Sequence, residues 1–285
     1  MEPYRHVSVA LERDTQKREQ EWLLKNKMPT YLDELRQKIE SCIRFINPVI
    51  CSAAEHDQSS QNKGGGEGNK ELVRLKVSDN LKGYLKIDGW NITESQLMVR
   101  FPKFNKGISY AISSSNTQPW KLHQIQNVHE FLHMALSHID MPDPVSATRI
   151  MKCIDEVVHC LKQALSEMET EYSSIGSTNE TFFSSIPENL HVCFSVLNTS
   201  YVVSVYLLRP QKHSRAFDPS HRRQAYEEGV SGSRALDANF PEVVADSAQC
   251  AQPSKKLERC LVNIHGILEL CLEIREKLIV VSQVN

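Results

Sequence analysis

The sequence predicts an α+β fold: an elongated two-domain protein of 285 residues. Its N- and C-terminal helices would join one antiparallel, zipper-like four-helix bundle, with an antiparallel β domain inserted. Three observations lead there. Four stretches carry apolar residues at alternating three- and four-residue spacing, the a/d pattern by which one helix buries a seam against another. Those stretches are separated by segments of period-two alternation, which suits half-buried strands. The last stretch is the most regular, with Leu257, Cys260, Ile264, Ile267, Cys271, Ile274, Leu278 and Val281 on one track. A helix from each end of the chain must then meet in one bundle, which suggests a scaffold before an enzyme.

In chain order, the first helical stretch runs from near Val9 to Ile46, with Met28, Leu32, Leu35, Ile39, Cys42 and Ile46 as its apolar track. Pro29 lacks an amide hydrogen, so it should kink this helix or open a second one. Asn47-Pro48 is the expected stop. Residues 52–69 are rich in Ser, Gln and Gly, including Gly64-Gly65-Gly66-Glu67-Gly68, a composition that reads as a flexible loop. Strands are expected over Leu72–Val77, Leu81–Ile87, Gln96–Phe101 and Ile108–Ile112, with a turn across residues 102–107.

Pro119 stands where the second helix is expected to begin. Its track is Leu122, Ile125, Val128, Leu132, Ala135 and Ile139. Met141-Pro142-Asp143-Pro144 then makes a tight connection, so the third helix, from Ala147 to Met168, should lie antiparallel to it. Residues 171–180 are polar. Leu190–Leu197 and Tyr201–Leu208 flank Asn198-Thr199-Ser200 and read as a hairpin. Residues 211–253 are poor in apolar side chains: 211–239 read as a second flexible loop, with an edge strand around Phe240–Val244. Ser254 is a good N-cap for a final helix reaching about Val281. The helical domain thus comprises 8–50, 118–172 and 254–283, and the β domain 70–114 and 186–250.

Composition narrows the function. A hydrophobic share of 40% and a charged share of 24% are ordinary for a globular protein. A net charge of −2 gives no global field to recruit nucleic acid or acidic lipid, and no basic run occurs locally. No secretory h-region is visible at the N-terminus. The longest apolar run, Leu190–Leu208, is broken by Asn198, Thr199 and Ser200, so no span is expected. A cytoplasmic location follows, and the eight cysteines read as reduced thiols. Cys42, Cys260 and Cys271 fall on a/d positions, where a thiol packs as a small apolar group.

One stretch matches a catalytic signature. His129-Glu130-Phe131-Leu132-His133 has the spacing by which zinc peptidases place two imidazoles on one helical face, with the glutamate activating water. The third ligand is the test. Leu136 and Ile139 stand where the extended motif needs Gly and His, and a carboxylate on the next helix would have to be Asp155 or Glu156. In the heptad frame set by Ile125 and Leu132, His129 flanks the seam and His133 faces outward. Both then read as surface histidines. The Gly64–Gly68 run lacks the Lys-Ser/Thr of a P-loop, no Gly-x-Ser-x-Gly elbow occurs, and Cys153 and Cys160 stand two helical turns apart. No catalytic, cofactor-binding or metal-ligating residue is assigned. Two other readings stay in view: a zinc hydrolase at His129, Glu130 and His133, and a self-associating coiled coil. Four stripes within one chain satisfy one another, which favours a monomer.

Trp120-Lys121-Leu122-His123-Gln124-Ile125-Gln126, the hairpin from Ile186-Pro187-Glu188-Asn189-Leu190 to Leu208, and the last helix from Leu257 to Ser282 together resemble the Rogdi family. These are animal leucine-zipper proteins related to the second subunit of the yeast RAVE complex. Glu21-Trp22-Leu23-Leu24 agrees with the same likeness. The chain departs from the family pattern in the insert before Leu72, in the polar stretch from Gln211, and in carrying the His129/His133 pair. The resemblance implies a helical zipper domain with a β domain and a non-catalytic role. That role would lie beside a rabconnectin-type WD40 protein, in assembly of the cytosolic sector of the V-type proton ATPase for vesicle acidification, synaptic vesicles included. It also implies association with cytoplasm, vesicles and the nuclear envelope.

Overall fold

The computed structural model describes residues 14–46, 70–75, 80–102, 104–115, 118–140, 146–170, 182–183, 186–210 and 242–282. Among them it is an α+β protein with four helices and two antiparallel sheets. The expected loops 52–69 and 211–239, the Met141–Pro144 connection, the 171–180 stretch, Asn47-Pro48 and the start near Val9 lie outside the described residues.

The first helix is continuous from residue 14 to Ile46, and α1 is its last part, Met28–Ile46. Pro29 acts one turn upstream of itself. Leu23–Lys27 forms a π-turn in which the Met28 amide donates to the Leu23 carbonyl, widening the helix just where Pro29 has no N–H to give. Beyond the turn, Met28, Leu35, Ile39, Cys42 and Ile46 are buried as expected, while Leu32 is half-buried. The other helices are α2 (His123–Ile139), α3 (Ala147–Glu169) and α4 (Lys255–Ser282). Ser146 caps α3 by accepting from the Arg149 amide at 3.3 Å. Ser254 caps α4 in the same way, accepting from Lys256 and Leu257 at 3.2 and 3.4 Å.

Each helix packs against two others. α1 touches α2 and α4, and α3 touches the same two. On α4 the seven-residue series Leu257, Ile264, Cys271, Leu278 is buried throughout, as are Cys260, Ile267 and Ile274. The apolar surface removed from water along such a seam stabilises by about 1.5–3 kcal/mol per large side chain. At the α1–α4 contact the Cys42 and Cys260 sulfurs lie 3.9 Å apart as free thiols. The seven cysteines in the described residues are all buried, and none forms a disulfide with another of them.

The first sheet runs β1 (Glu71–Leu75), β2 (Leu81–Asp88), β3 (Asn91–Val99) and β4 (Tyr110–Ser113), with β5 (Trp120–Lys121) pairing the start of β3. The second runs β6 (Leu190–Leu197), β7 (Ser200–Pro210) and β8 (Glu242–Pro253). In the β6–β7 hairpin Asn198 takes φ 53°, a left-handed conformation that asparagine tolerates. The edge strand β8 also lies against β1 and β2, bringing the sheets together.

Three expectations need correction. Pro119 does not start α2: Trp120 and Lys121 pair with Ile92 and Asn91 first, and the helix begins at His123. The Trp120 ring is held by Phe194 and Phe182, at centroid distances of 5.5 and 6.0 Å, and this aromatic packing outweighs the helix-start signal. β3 starts at Asn91, not Gln96, because Gly89-Trp90 is a two-residue turn closing β2 onto β3, with Gly89 at φ 59°. β8 is 12 residues long, where a short edge around Phe240–Val244 was expected, and Phe240 lies outside the described residues. Its buried positions are the small Ala248 and Cys250, which alternate with polar residues and give little apolar signal.

Candidate functional site

α2 turns Val128, Leu132 and Ala135 into the helical seam, and the same register carries His129 under the β2–β3 turn. His129 is therefore not the surface residue expected. Its ring packs on Trp90 at 5.0 Å, and His133, one turn on, lies edge-on to it at 4.5 Å. Burial lowers the His129 pKa, the neighbouring His133 lowers it further, and Glu130 partly opposes both. The His129 Nε2 is buried without a hydrogen-bond partner. Glu130 accepts from Gln126 at 3.0 Å.

A zinc site needs a further donor. Ile139 is buried in the core, and Asp155 pairs with Arg275 of α4 at 3.1 Å. Among the described residues no group of three or more His, Cys, Asp or Glu side chains is placed to hold a metal ion. His129 alone of the pair fills the helix–sheet contact against Trp90. Glu167 accepts from Asn127 at 3.2 Å between α2 and α3.

Two buried polar clusters escaped the sequence reading. Gln124, in the first turn of α2, is 4% exposed. Its Nε2 lies within 2.8–2.9 Å of the carbonyls of Glu167, Thr170 and Val196, and its Oε1 accepts from the Val196 amide at 2.7 Å. One side chain thus ties α2 to the end of α3 and to β6. The second cluster centres on Glu71 in β1, which accepts from Ser254 Oγ at 2.8 Å and from Tyr201 Oη at 3.2 Å. Burial first, and Glu71 next, push the Tyr201 phenol up. The available signal was weak: Gln124 falls on the buried side of a helix whose Ile125 and Val128 are also buried.

The outward surfaces include exposed apolar groups. On α4, Val262 and Val280 are 63% and 68% exposed, and on the first sheet Leu72 and Met98 flank a concavity with Tyr84 and Lys82. No helix among the described residues is long and apolar enough to cross a membrane.

A family model described as "Rogdi leucine zipper containing protein" matches residues 19–251. The chain belongs to the Rogdi leucine-zipper family. The match spans the first three helices and both sheets as far as residue 251 in β8, and leaves α4 outside it. Among curated relatives, "Protein rogdi" of Drosophila melanogaster is 24% identical over 197 residues, covering 65% of this chain and 72% of the fly protein. The Rogdi match therefore includes the Gln124 cluster and, of the second cluster, Glu71 and Tyr201.

Proposed function

We propose that this Rogdi-family chain is a non-catalytic scaffold that docks partner proteins in a RAVE/rabconnectin-type complex during V-type proton ATPase assembly. Its α1–α4 ring acts as a zipper-like antiparallel four-helix bundle formed by 8–50, 118–172 and 254–283. The inserted β domain comprises 70–114 and 186–250. The protein works as a monomer in the cytoplasm, peripheral to vesicles and the nuclear envelope. Family membership supports this reading. So does the mutual packing of helices from both ends of the chain, which occupies their apolar stripes internally and leaves long outward faces for partners.

The test is native affinity purification of the tagged full chain with mass spectrometry of what co-purifies. The expected result is recovery of a rabconnectin-type WD40 protein with cytosolic-sector ATPase subunits. Recovery of neither under native conditions overturns the proposal. Sedimentation gives the companion check, since a concentration-independent dimer would replace the monomer.

A further inference from the structure

Five cations among the described residues are held in ion pairs. Arg36 meets Asp33 and Asp140, Lys38 meets Glu34, Lys86 meets Glu94, Arg275 meets Asp155 and Lys277 meets Glu273. One group is different. At the C-terminal end of α1, the start of β1 and the first turns of α4, a concavity of about 440 Å³ is lined by Arg44, Lys70, Lys255, Lys256 and Arg259, with Phe45 and Glu71. None of the five cations makes an ion pair among the described residues. The single lining carboxylate, Glu71, is already a hydrogen-bond acceptor for Ser254 and Tyr201.

Five like charges gathered from three elements repel one another, and in a chain of net charge −2 no general basicity explains them. The helix end is not the source of the attraction either: the Lys256 and Leu257 amides are taken by the Ser254 hydroxyl, and the Glu258 amide by its carbonyl. The side chains are what remains to bind. Lys256 is half-buried, and burial lowers its amine pKa against the opposing pull of Glu71 and Asp88, so an incoming anion would favour its charged form.

We propose that this pocket binds a compact anion carrying several phosphates, of the inositol-polyphosphate type. Two guanidinium forks, on Arg44 and Arg259, match phosphate oxygens in pairs, and three ammonium groups add point charges from other directions. Convergence on one concavity suits a small polyvalent anion. An extended polymer would need cations strung along a track, whereas these five converge. The volume lies in the range of small-molecule sites. The inference stands apart from the scaffold reading.

Isothermal titration of the full chain with inositol hexakisphosphate tests it. The expected result is one saturable site whose affinity falls as salt rises. Lys255 and Arg259 are both exposed, so Lys255→Gln/Arg259→Gln should fold normally and weaken binding by at least about tenfold. Lys82→Gln, on the outer sheet face, should bind as wild type. Absence of saturable binding at low salt, an undiminished double variant, or an equal loss in Lys82→Gln overturns the proposal. Flotation with phosphatidylcholine vesicles containing a phosphatidylinositol bisphosphate separates the sources. Association that free inositol hexakisphosphate releases identifies a lipid headgroup, and saturable binding in solution with no flotation identifies a soluble ligand.

Discussion

The α4 seam and the Gln124 junction hold the molecule together by opposite means. Along the seam, Leu257, Ile264, Cys271 and Leu278 remove apolar surface from water, and no position depends on a single partner atom. At the junction, one amide serves backbone groups of Glu167, Thr170 and Val196, the last of them 72 residues away. The seam is redundant and intolerant of charge. The junction is specific and intolerant of losing its hydrogen-bonding group. The first kind of contact repeats and can be read as a period. The second occurs once and depends on where distant strands end up.

The sharpest way to break the comparison is to put a charge in the seam. Ile264→Asp removes a fully buried side chain and buries an unpaired carboxylate. The cavity costs about 2–5 kcal/mol and the carboxylate adds more. Against a typical domain stability of about 5–15 kcal/mol this should abolish cooperative folding of the helices. Leu161→Asp on α3 should do the same. Far-UV circular dichroism with urea denaturation checks both, and a midpoint close to wild type would show that the helices do not form a closed seam.

Gln124→Leu is the matching change at the junction. It keeps the volume and removes the amide, leaving the Val196 N–H and three carbonyls to find other partners. A loss of about 3 kcal/mol is expected, smaller than in the seam because Thr170 is exposed and water can reach its carbonyl. The change should show as a lower urea midpoint with an unaltered slope. If Gln124→Leu is neutral, the junction is decoration and the comparison fails.

His129 lies between the two regimes, an ionisable ring in an apolar contact. Its folded pKa is below the unfolded value, so the unfolded chain holds the extra proton between the two. Stability is then full above the unfolded pKa of about 6.5 and falls as pH drops through the window below it. His129→Phe keeps the contact with Trp90 and removes both the titration and the unpartnered Nε2. It should be as stable as wild type near neutrality and should lose less between about pH 6.5 and 5. Urea midpoints across that range check it, and an unchanged acid-side slope would assign the loss to other groups.

Much of this fold was legible because its apolar positions repeat. All four helices followed from their three-four spacing, and the β6–β7 hairpin from two β-patterned segments flanking Asn198-Thr199-Ser200. The start of β3 was also legible in Gly89, a glycine at the first central position of a hairpin turn, but a count of apolar residues passes over it. β8 was hidden because small residues occupy its buried positions. The basic pocket was hidden for a different reason: Arg44, Lys70 and Arg259 lie far apart in sequence, and no local run shows a cluster that only folding assembles. His129 failed because a heptad frame sees helix neighbours and not the sheet turn that covers the ring.

The smallest effect belongs to His133, and it distinguishes spacing from chemistry. His133 is exposed and its ring touches only that of His129 among the aromatic contacts of the described residues. If the His-Glu-x-x-His spacing held a working pair, truncating either histidine would matter alike. If the spacing is incidental to α2, His133→Ala should change stability near neutral pH by no more than about 0.5 kcal/mol, the usual range for an exposed site. It should also act on its neighbour. Removing the His133 charge withdraws one of the two influences that lower the His129 pKa, leaving burial, the larger one. The acid-side loss of stability should therefore shrink and yet persist. A loss of several kcal/mol at neutral pH would mean that His133 bears a structural or ligand-holding load and would reopen the metal question at this pair. A small neutral-pH effect with a reduced acid-side slope would leave one buried imidazole and one solvent-facing one, joined by helical spacing alone.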